Sequence, residues 1–433
     1  MLFRRIKAWL LHNTSPKQTI IKNSFRLLVS EIVSKVCTFL VTLWIARYLG
    51  VESYGMSNFA MTFAGFFVLA VDFGLVNLTF RELSKRIADR DSFFANAMVI
   101  KILLSLVALL VAFVVTKFIG KPSIYATLIM IYLLYAILNN ICEYARVYFR
   151  PYERMQHEAI LKMINAVVFF LSAITFILAF WTLQSVFLGF LVAGIINVII
   201  SFGYVVVKLP IQTFPLNIQF MKKILRMALP FFLSGIFIFF YTDINIVMLW
   251  FFRDAKEVWL FSVAYSVIFY VYMILNIFSV SFFKKLVDGT TSITRFKYFL
   301  SKYLRVNLAV SALVVLWAFL VGWWVIILVY GQAYYGTILM FKLLSFRVVI
   351  KSVSYVYGTW LTTFSKEYTR LWTQIVAAIV NVLLNLILIP SYGYVGCIIS
   401  LLLTELSLLL MYKIYLNKYM AIAHKEQTTF PSS

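Results

Sequence analysis

Long apolar runs, broken by short polar stretches, recur along this chain from residue 22 to residue 416. Each approaches or exceeds the roughly 20 residues an α-helix needs to cross the hydrocarbon of a bilayer. Their positions predict twelve transmembrane helices: 22–46, 56–78, 94–118, 123–145, 159–180 and 186–207, then 227–250, 258–283, 306–330, 337–361, 371–389 and 395–416. Ahead of them, residues 1–21 put Leu2, Phe3, Ile6, Trp9 and Leu10 on one helical side and Arg4, Arg5 and Lys7 elsewhere. That pattern predicts a basic amphipathic segment lying on a membrane surface, and it lacks the features of a cleaved signal peptide. Residues 208–226 carry two prolines and end in a basic cluster. They read as a cytoplasmic linker between a six-helix lobe at 22–207 and a second at 227–416, with a cytoplasmic tail at 417–433. Two matched lobes are a common plan of secondary transporters.

Composition agrees. Of 433 residues, 63% are hydrophobic and only 13% charged, too little polar surface for a soluble chain of this length. The net charge of +23 raises nucleic-acid binding as an option, but the cations are dispersed between spans and form no single basic face. Membrane topology explains them better. Most of the 39 Lys and Arg fall in the amino end, the even-to-odd loops and the carboxyl tail, whereas the opposite loops hold Arg47, Lys117, Lys121, Arg253 and Lys256. Both termini are therefore expected in the cytoplasm. Cys37, Cys142 and Cys397 read as small core residues. His12, His157 and His424 lie outside the spans, so no intramembrane histidine relay is predicted.

Several spans contain charge. Residues 341–357, FKLLSFRVVIKSVSYVY, carry Lys342, Arg347 and Lys351 inside an apolar run. A cation at the bilayer centre costs roughly 2.5–3.5 kcal/mol on insertion scales, so such side chains turn toward protein or water. Arg347, Lys351, Ser354 and Gly358 lie on one face. Glu31, Lys35, Thr38 and Thr42 repeat the spacing in the first span, where Glu31 and Lys35 are placed to neutralise each other. Gln374, Ala378, Asn381 and Asn385 repeat it again. A polar interior and plain helix–helix adhesion both account for the Asn and Thr positions; cations make expensive adhesive. Lys101 and Lys162 lie within about two turns of cytoplasmic ends, and Lys342 near an outer end, where snorkelling is the alternative to a site role. Asp72, Asp243 and Glu405 suit either a coupling ion or a neighbouring cation. Asp89-Arg90-Asp91 matches the D-x-D pattern of sugar-nucleotide sites but has no soluble domain to present it; Asp91 is better placed as a helix cap. No nucleotide loop is present, and no cofactor is expected.

Five stretches carry a resemblance: ARYLGVESYG (46–55), DFGLVNLTFREL (72–83), ALPFFLSGIFIFFYTDINIVML (228–249), VYGQAYYGT (329–337) and NVLLNLILIPSYGYVG (381–396). In this order the chain resembles the O-antigen and polysaccharide flippases of the multidrug/oligosaccharidyl-lipid/polysaccharide exporter superfamily. The resemblance implies an all-α, V-shaped alternating-access bundle in the bacterial inner membrane, and a non-enzymatic transporter. It also implies the cargo, an undecaprenyl-pyrophosphate-linked oligosaccharide moved from the cytoplasmic to the periplasmic leaflet, with a polysaccharide polymerase and a chain-length regulator as further partners. Lipid II flippases carry an arginine–aspartate pair late in the first span; Val41 and Thr42 stand there instead, so that pair is not carried over. Asp72 and Arg81 fall on the DFGL…RE pattern.

A lipid-linked diphosphate needs cations at mid-depth, facing a wet cleft between the lobes, and guanidinium offers it paired donors. Lys35, Arg347 and Lys351, joined by Lys101 and Arg81, are the candidate substrate ligands. Glu31, Asp72, Asp243 and Glu405 are the candidate ion-coupling acids. Two rivals remain: a cation-coupled multidrug exporter, favoured by a cavity rich in acids, and a membrane-embedded polysaccharide enzyme, which calls for a large outer loop or an intramembrane histidine that this chain lacks.

Overall fold

The computed structural model describes residues 16–84, 90–118, 122–150, 155–208, 216–254, 256–269, 272, 293–364 and 366–429. Nearly all of these are helical, with no strand among them. The amphipathic segment at 1–15, Asp89, the linker at 209–215, span residues 273–283 and the tail end at 430–433 lie outside the described residues.

The helices are α1 (Pro16–Trp44), α2 (Gly50–Asp72), α3 (Leu75–Ser84), α4 (Arg90–Phe118), α5 (Ser123–Val147), α6 (Met155–Phe180), α7 (Leu183–Lys208), α8 (Ile218–Thr242), α9 (Ile244–Phe252), α10 (256–269), α11 (Ile293–Leu320), α12 (Gly322–Tyr330), α13 (Thr337–Thr363) and α14 (Glu367–Thr429). Eight helical stretches among the described residues are long and apolar enough to cross a membrane. They bear out a polytopic all-α membrane protein. The chain divides into two compact units, Met1–Gly235 and Ile236–Ser433.

Helix limits depart from the apolar runs where backbone conformation intervenes. A five-residue π-helical stretch, Ile45–Leu49, joins α1 to α2, and the first two predicted spans form one continuous helical stretch there. The second predicted span, 56–78, is cut at Phe73 and Gly74. Both are left-handed, at φ +46° and +73°, and end α2. Similarly, α11 ends at Leu320 and α12 begins at Gly322, inside the predicted 306–330 span. The last two predicted spans are joined as α14, interrupted at Gly393 (φ +55°), three residues after Pro390. Glu257 accepts a hydrogen bond from the Tyr394 amide at 2.8 Å beside that interruption.

In the first unit α1 packs on α6, α2 on α5, and α5 and α6 both on α7. Leu75, Leu78, Phe94, Tyr144, Tyr148 and Ala228 belong to its buried core. The α2–α3 turn presses against α8: a Cβ added at Gly74 would lie 3.0 Å from the Phe232 amide and 3.2 Å from the Ala228 carbonyl oxygen, so only glycine fits. In the second unit α13 packs on α14 and α11, and α9 on α14. Tyr241, Tyr303, Trp360, Ala377, Leu408 and Tyr412 contribute to its core. Outward positions such as Leu106, Leu110, Leu313 and Ile387 are exposed leucine and isoleucine, as a lipid-facing surface demands.

Candidate functional site

The charged face of α13 is buried. Arg347 is 1% exposed and Lys351 9%, and their common partner is Glu405 on α14, itself 2% exposed. The Glu405 carboxylate oxygen Oε2 stands 3.6 Å from Arg347 Nη2 and 3.3 Å from Lys351 Nζ. One carboxylate thus serves two cations. Tyrosines surround them: the Arg347 guanidinium lies 5.7 Å from the ring centres of both Tyr265 and Tyr272, and Lys351 Nζ lies 5.3 Å from Tyr272 and 5.7 Å from Tyr241 and from Tyr355. Ring faces attract cations, and most strongly where water is excluded.

The site is not saturated. Arg347 Nε and Nη1, the Tyr272 hydroxyl and Ser354 Oγ are all buried without a hydrogen-bond partner. Three residues thus hold unused polar groups beside the same two positive charges. Buried polar atoms are ordinarily satisfied, because each orphan carries the full desolvation penalty.

Asp243 borders this centre at the break between α8 and α9, where it is half-buried. Its Oδ2 accepts from Thr242 Oγ1 at 2.5 Å. The Thr242 carbonyl, freed by the break, accepts from Tyr265 Oη at 2.8 Å and Asn245 Nδ2 at 3.2 Å. A chain of amides follows. Asn385 Nδ2 donates to Asn245 Oδ1 at 2.8 Å and to Asn381 Oδ1 at 2.9 Å, and Asn381 Nδ2 donates to Thr404 Oγ1 at 3.1 Å. Asn381 and Asn385 therefore join helices within the second unit, as intramembrane amides do.

The remaining sequence-derived candidates lie in the first unit. Lys101 is fully buried and donates to Asp72 Oδ1 at 2.9 Å, with its ammonium 5.2 Å from the Tyr144 ring centre. It does not snorkel. Thr79 Oγ1 donates to the Tyr144 hydroxyl at 3.1 Å, completing a small network at the α2–α3 turn. Glu31 accepts a hydrogen bond from Lys162 on α6, a long-range pair that the spacing of Glu31 and Lys35 on one helix does not announce and that takes Lys162 beyond plain snorkelling. Lys35 is half-buried on α1. Arg81, 46% exposed, donates from Nε to Glu82 at 2.8 Å and rests 5.3 Å from the Phe231 ring centre.

A family model described as "Polysaccharide biosynthesis protein" matches residues 20–283, more than half of the chain. The chain belongs to this polysaccharide biosynthesis protein family. No curated protein matches the sequence significantly. Among solved structures, this family member is similar to the lipid II flippase MurJ in its inward closed conformation, at TM-score 0.76 and 15% identity over 90% of this chain and 87% of that one. It is also similar to an inward-facing multidrug resistance MATE family transporter of the MOP superfamily, at TM-score 0.73 and 16% identity, covering 95% and 100% of the two chains. A MOP superfamily transporter from Pyrococcus furiosus matches at TM-score 0.61 and 14% identity, covering 96% and 97%. At such identities the likeness establishes the fold, which is that of transporters and flippases.

Sequence reasoning missed the tyrosine ring. Tyr265 and Tyr272 stand seven residues apart, but the 24 other tyrosines of the chain hide that signal. It also missed the sharing of Glu405, because two helices distant in sequence must pack before the charges meet.

Proposed function

We propose that this family member is a flippase moving an undecaprenyl-pyrophosphate-linked oligosaccharide from the cytoplasmic to the periplasmic leaflet of the bacterial inner membrane, for surface polysaccharide of O-antigen type. A polysaccharide polymerase and a chain-length regulator act on the same cargo afterwards. One observation carries the reading: Arg347 keeps two buried guanidinium nitrogens without partners, beside Lys351, Tyr272 and Ser354. A diphosphate supplies acceptor oxygens for such donors in the geometry guanidinium favours. Glu405 is the counter-ion that Arg347 and Lys351 hold between substrates, and it releases them when a diphosphate arrives. Lys35 and Arg81 are further ligands for the cargo, with Lys101 acting through its pair with Asp72. Glu31, Asp72, Asp243 and Glu405 are the acids through which an ion gradient couples to transport.

The likeness to multidrug transporters favours a second reading, export of cationic drugs. The chemistry of the orphans weighs against it, since guanidinium nitrogens donate only and a cationic ligand needs acceptors.

Deletion in the source organism separates the readings. A flippase defect removes surface polysaccharide and leaves lipid-linked units inside, and the double variant R347A/K351A fails to restore it. Full restoration by that variant would refute the phosphate role. Dye export by reconstituted protein that leaves lipid-linked sugars unmoved would establish the drug exporter.

A further inference from the structure

The corner inside α14 is held by two charged side chains at the α9–α10 junction. Between Pro390 and Tyr394, Gly393 leaves the helical region at φ +55° and ψ −134°. In an unbroken helix the Tyr394 amide would donate to the Pro390 carbonyl. Here the amide donates to Glu257 Oε2 at 2.8 Å, and the carbonyl accepts from Arg253 Nη2 at 2.8 Å. Arg253 Nε also donates to the Ile389 carbonyl at 3.1 Å. A cation thus meets the carbonyl end of the first half of α14 and an anion the amide end of the second, the favourable sense for both helix dipoles. Glycine makes room for this: a Cβ at position 393 would lie 2.9 Å from the Glu257 carboxyl carbon and displace that carboxylate.

The two side chains clasp different bodies. Arg253 directly follows α9, and α9 is fastened to the first half of α14 a second time, where Asn385 Nδ2 donates to Asn245 Oδ1 at 2.8 Å. Glu257, in the first turn of α10, holds the second half. That half carries Glu405, twelve residues beyond Gly393 (393 to 405) and so about 18 Å along the axis. At that radius a change of about 10° in the bend moves the carboxylate by about 3 Å. Its ion pairs with Lys351 and Arg347 measure 3.3 and 3.6 Å, so a displacement of that size parts them. The Asn381–Thr404 bond, at 3.1 Å, ties the halves together at the depth of Glu405, and the charged clasp ties them at the corner itself.

We infer that Arg253 and Glu257 are positioning residues for the basic centre: they fix the bend of α14 and thereby hold Glu405 against Arg347 and Lys351. The inference rests on the diphosphate reading of that centre and adds its regulation. The clasp keeps the internal anion seated, so a diphosphate must displace it to bind. Loosening the clasp unseats Glu405 and removes a competitor; diphosphate then binds more tightly although the protein is less stable.

Two measurements on the full-length protein in detergent test this. Spin labels at the exposed positions Ile387 and Ile414, introduced as I387C and I414C with Cys37, Cys142 and Cys397 replaced by alanine, report the bend of α14 as a distance. E257A and R253A should each shift or broaden that distance, and E257Q, which keeps an acceptor for the Tyr394 amide, should stay close to wild type. Unfolding temperatures against inorganic pyrophosphate give the second reading. E257A and R253A should unfold at lower temperature than wild type yet respond to pyrophosphate at a concentration at least about threefold lower. In the E405Q background, E257A should move that concentration no further, because the competitor is already gone. A merely structural role lowers the unfolding temperature without moving the concentration. An unchanged spin-label distance in both E257A and R253A, an unmoved pyrophosphate concentration where E405Q does respond, or an equal shift with and without Glu405 would each overturn the inference. Absence of a pyrophosphate response in every protein, E405Q included, would refute the diphosphate reading instead, and the spin-label distances would then decide the clasp.

Discussion

Substitution Glu405→Gln probes the basic centre most deeply. It removes the charge shared by Arg347 and Lys351 while keeping the shape. At the observed 3.3 and 3.6 Å, each attraction is on the order of 5 kcal/mol for an effective dielectric near 20. Desolvation of three buried ions offsets much of that gain, so the pair's net worth against an apolar replacement is small. Removing only the acid is different, because two like charges then remain buried together. Breaking a buried pair costs about 3–5 kcal/mol, and the present geometry belongs at the upper end of that range. Two outcomes follow. The variant should unfold at lower temperature than wild type in detergent, and inorganic pyrophosphate should restore more stability to it than to wild type, because no internal anion competes. Unfolding temperatures and pyrophosphate titrations on both proteins provide the assay. A variant as stable as wild type, with no gain in pyrophosphate response, would refute the counter-ion role of Glu405.

Other substitutions give separate readings. D72N should destabilise the first unit by about 2–4 kcal/mol, since it strands a fully buried Lys101 but from a partner 23% exposed, and D72N/K101M should recover most of the loss in a double-mutant cycle. Gly74→Ala, at φ +73° and against the α8 backbone, should cost about 1–3 kcal/mol and lower the level of folded protein in membranes. Arg81→Ala removes the half-exposed partner of a Glu82 carboxylate that is only 9% exposed, so it should lower the unfolding temperature, and transport by that variant is to be compared at equal amounts of folded protein.

Most of the helical architecture was legible because hydrocarbon leaves a backbone few choices: an apolar run of sufficient length forms a helix or is not stable there. Span 337–361 differs from α13 by only a few residues for that reason. The cost of a mid-membrane cation likewise singled out Arg347 and Lys351 before their surroundings were known. Local conformation was harder to read. Phe73 takes a left-handed backbone although it is not glycine, and its ring stacks 4.3 Å from that of Phe232, a tertiary contact that no pattern of neighbouring residues announces. Partner choice was harder still. Spacing on one helix suggested Glu31 with Lys35, yet Lys162 reaches Glu31 from α6, because α1 and α6 pack together. Arg146 read as a loop cation because hydropathy falls at Ala145, whereas the helix and its burial continue.

The most direct test of the central claim separates charge from folding. Replacing Arg347, Lys351 and Glu405 together by methionine removes the whole triad without stranding any ion, a change that buried charge clusters can tolerate. Proteoliposomes holding wild type or this triple variant are loaded with undecaprenyl-pyrophosphate-linked oligosaccharide, and its appearance in the opposite leaflet is timed. Wild type should translocate it, and the triple variant should fold, reconstitute and leave it where it began. Translocation by the triple variant at the wild-type rate would contradict the account.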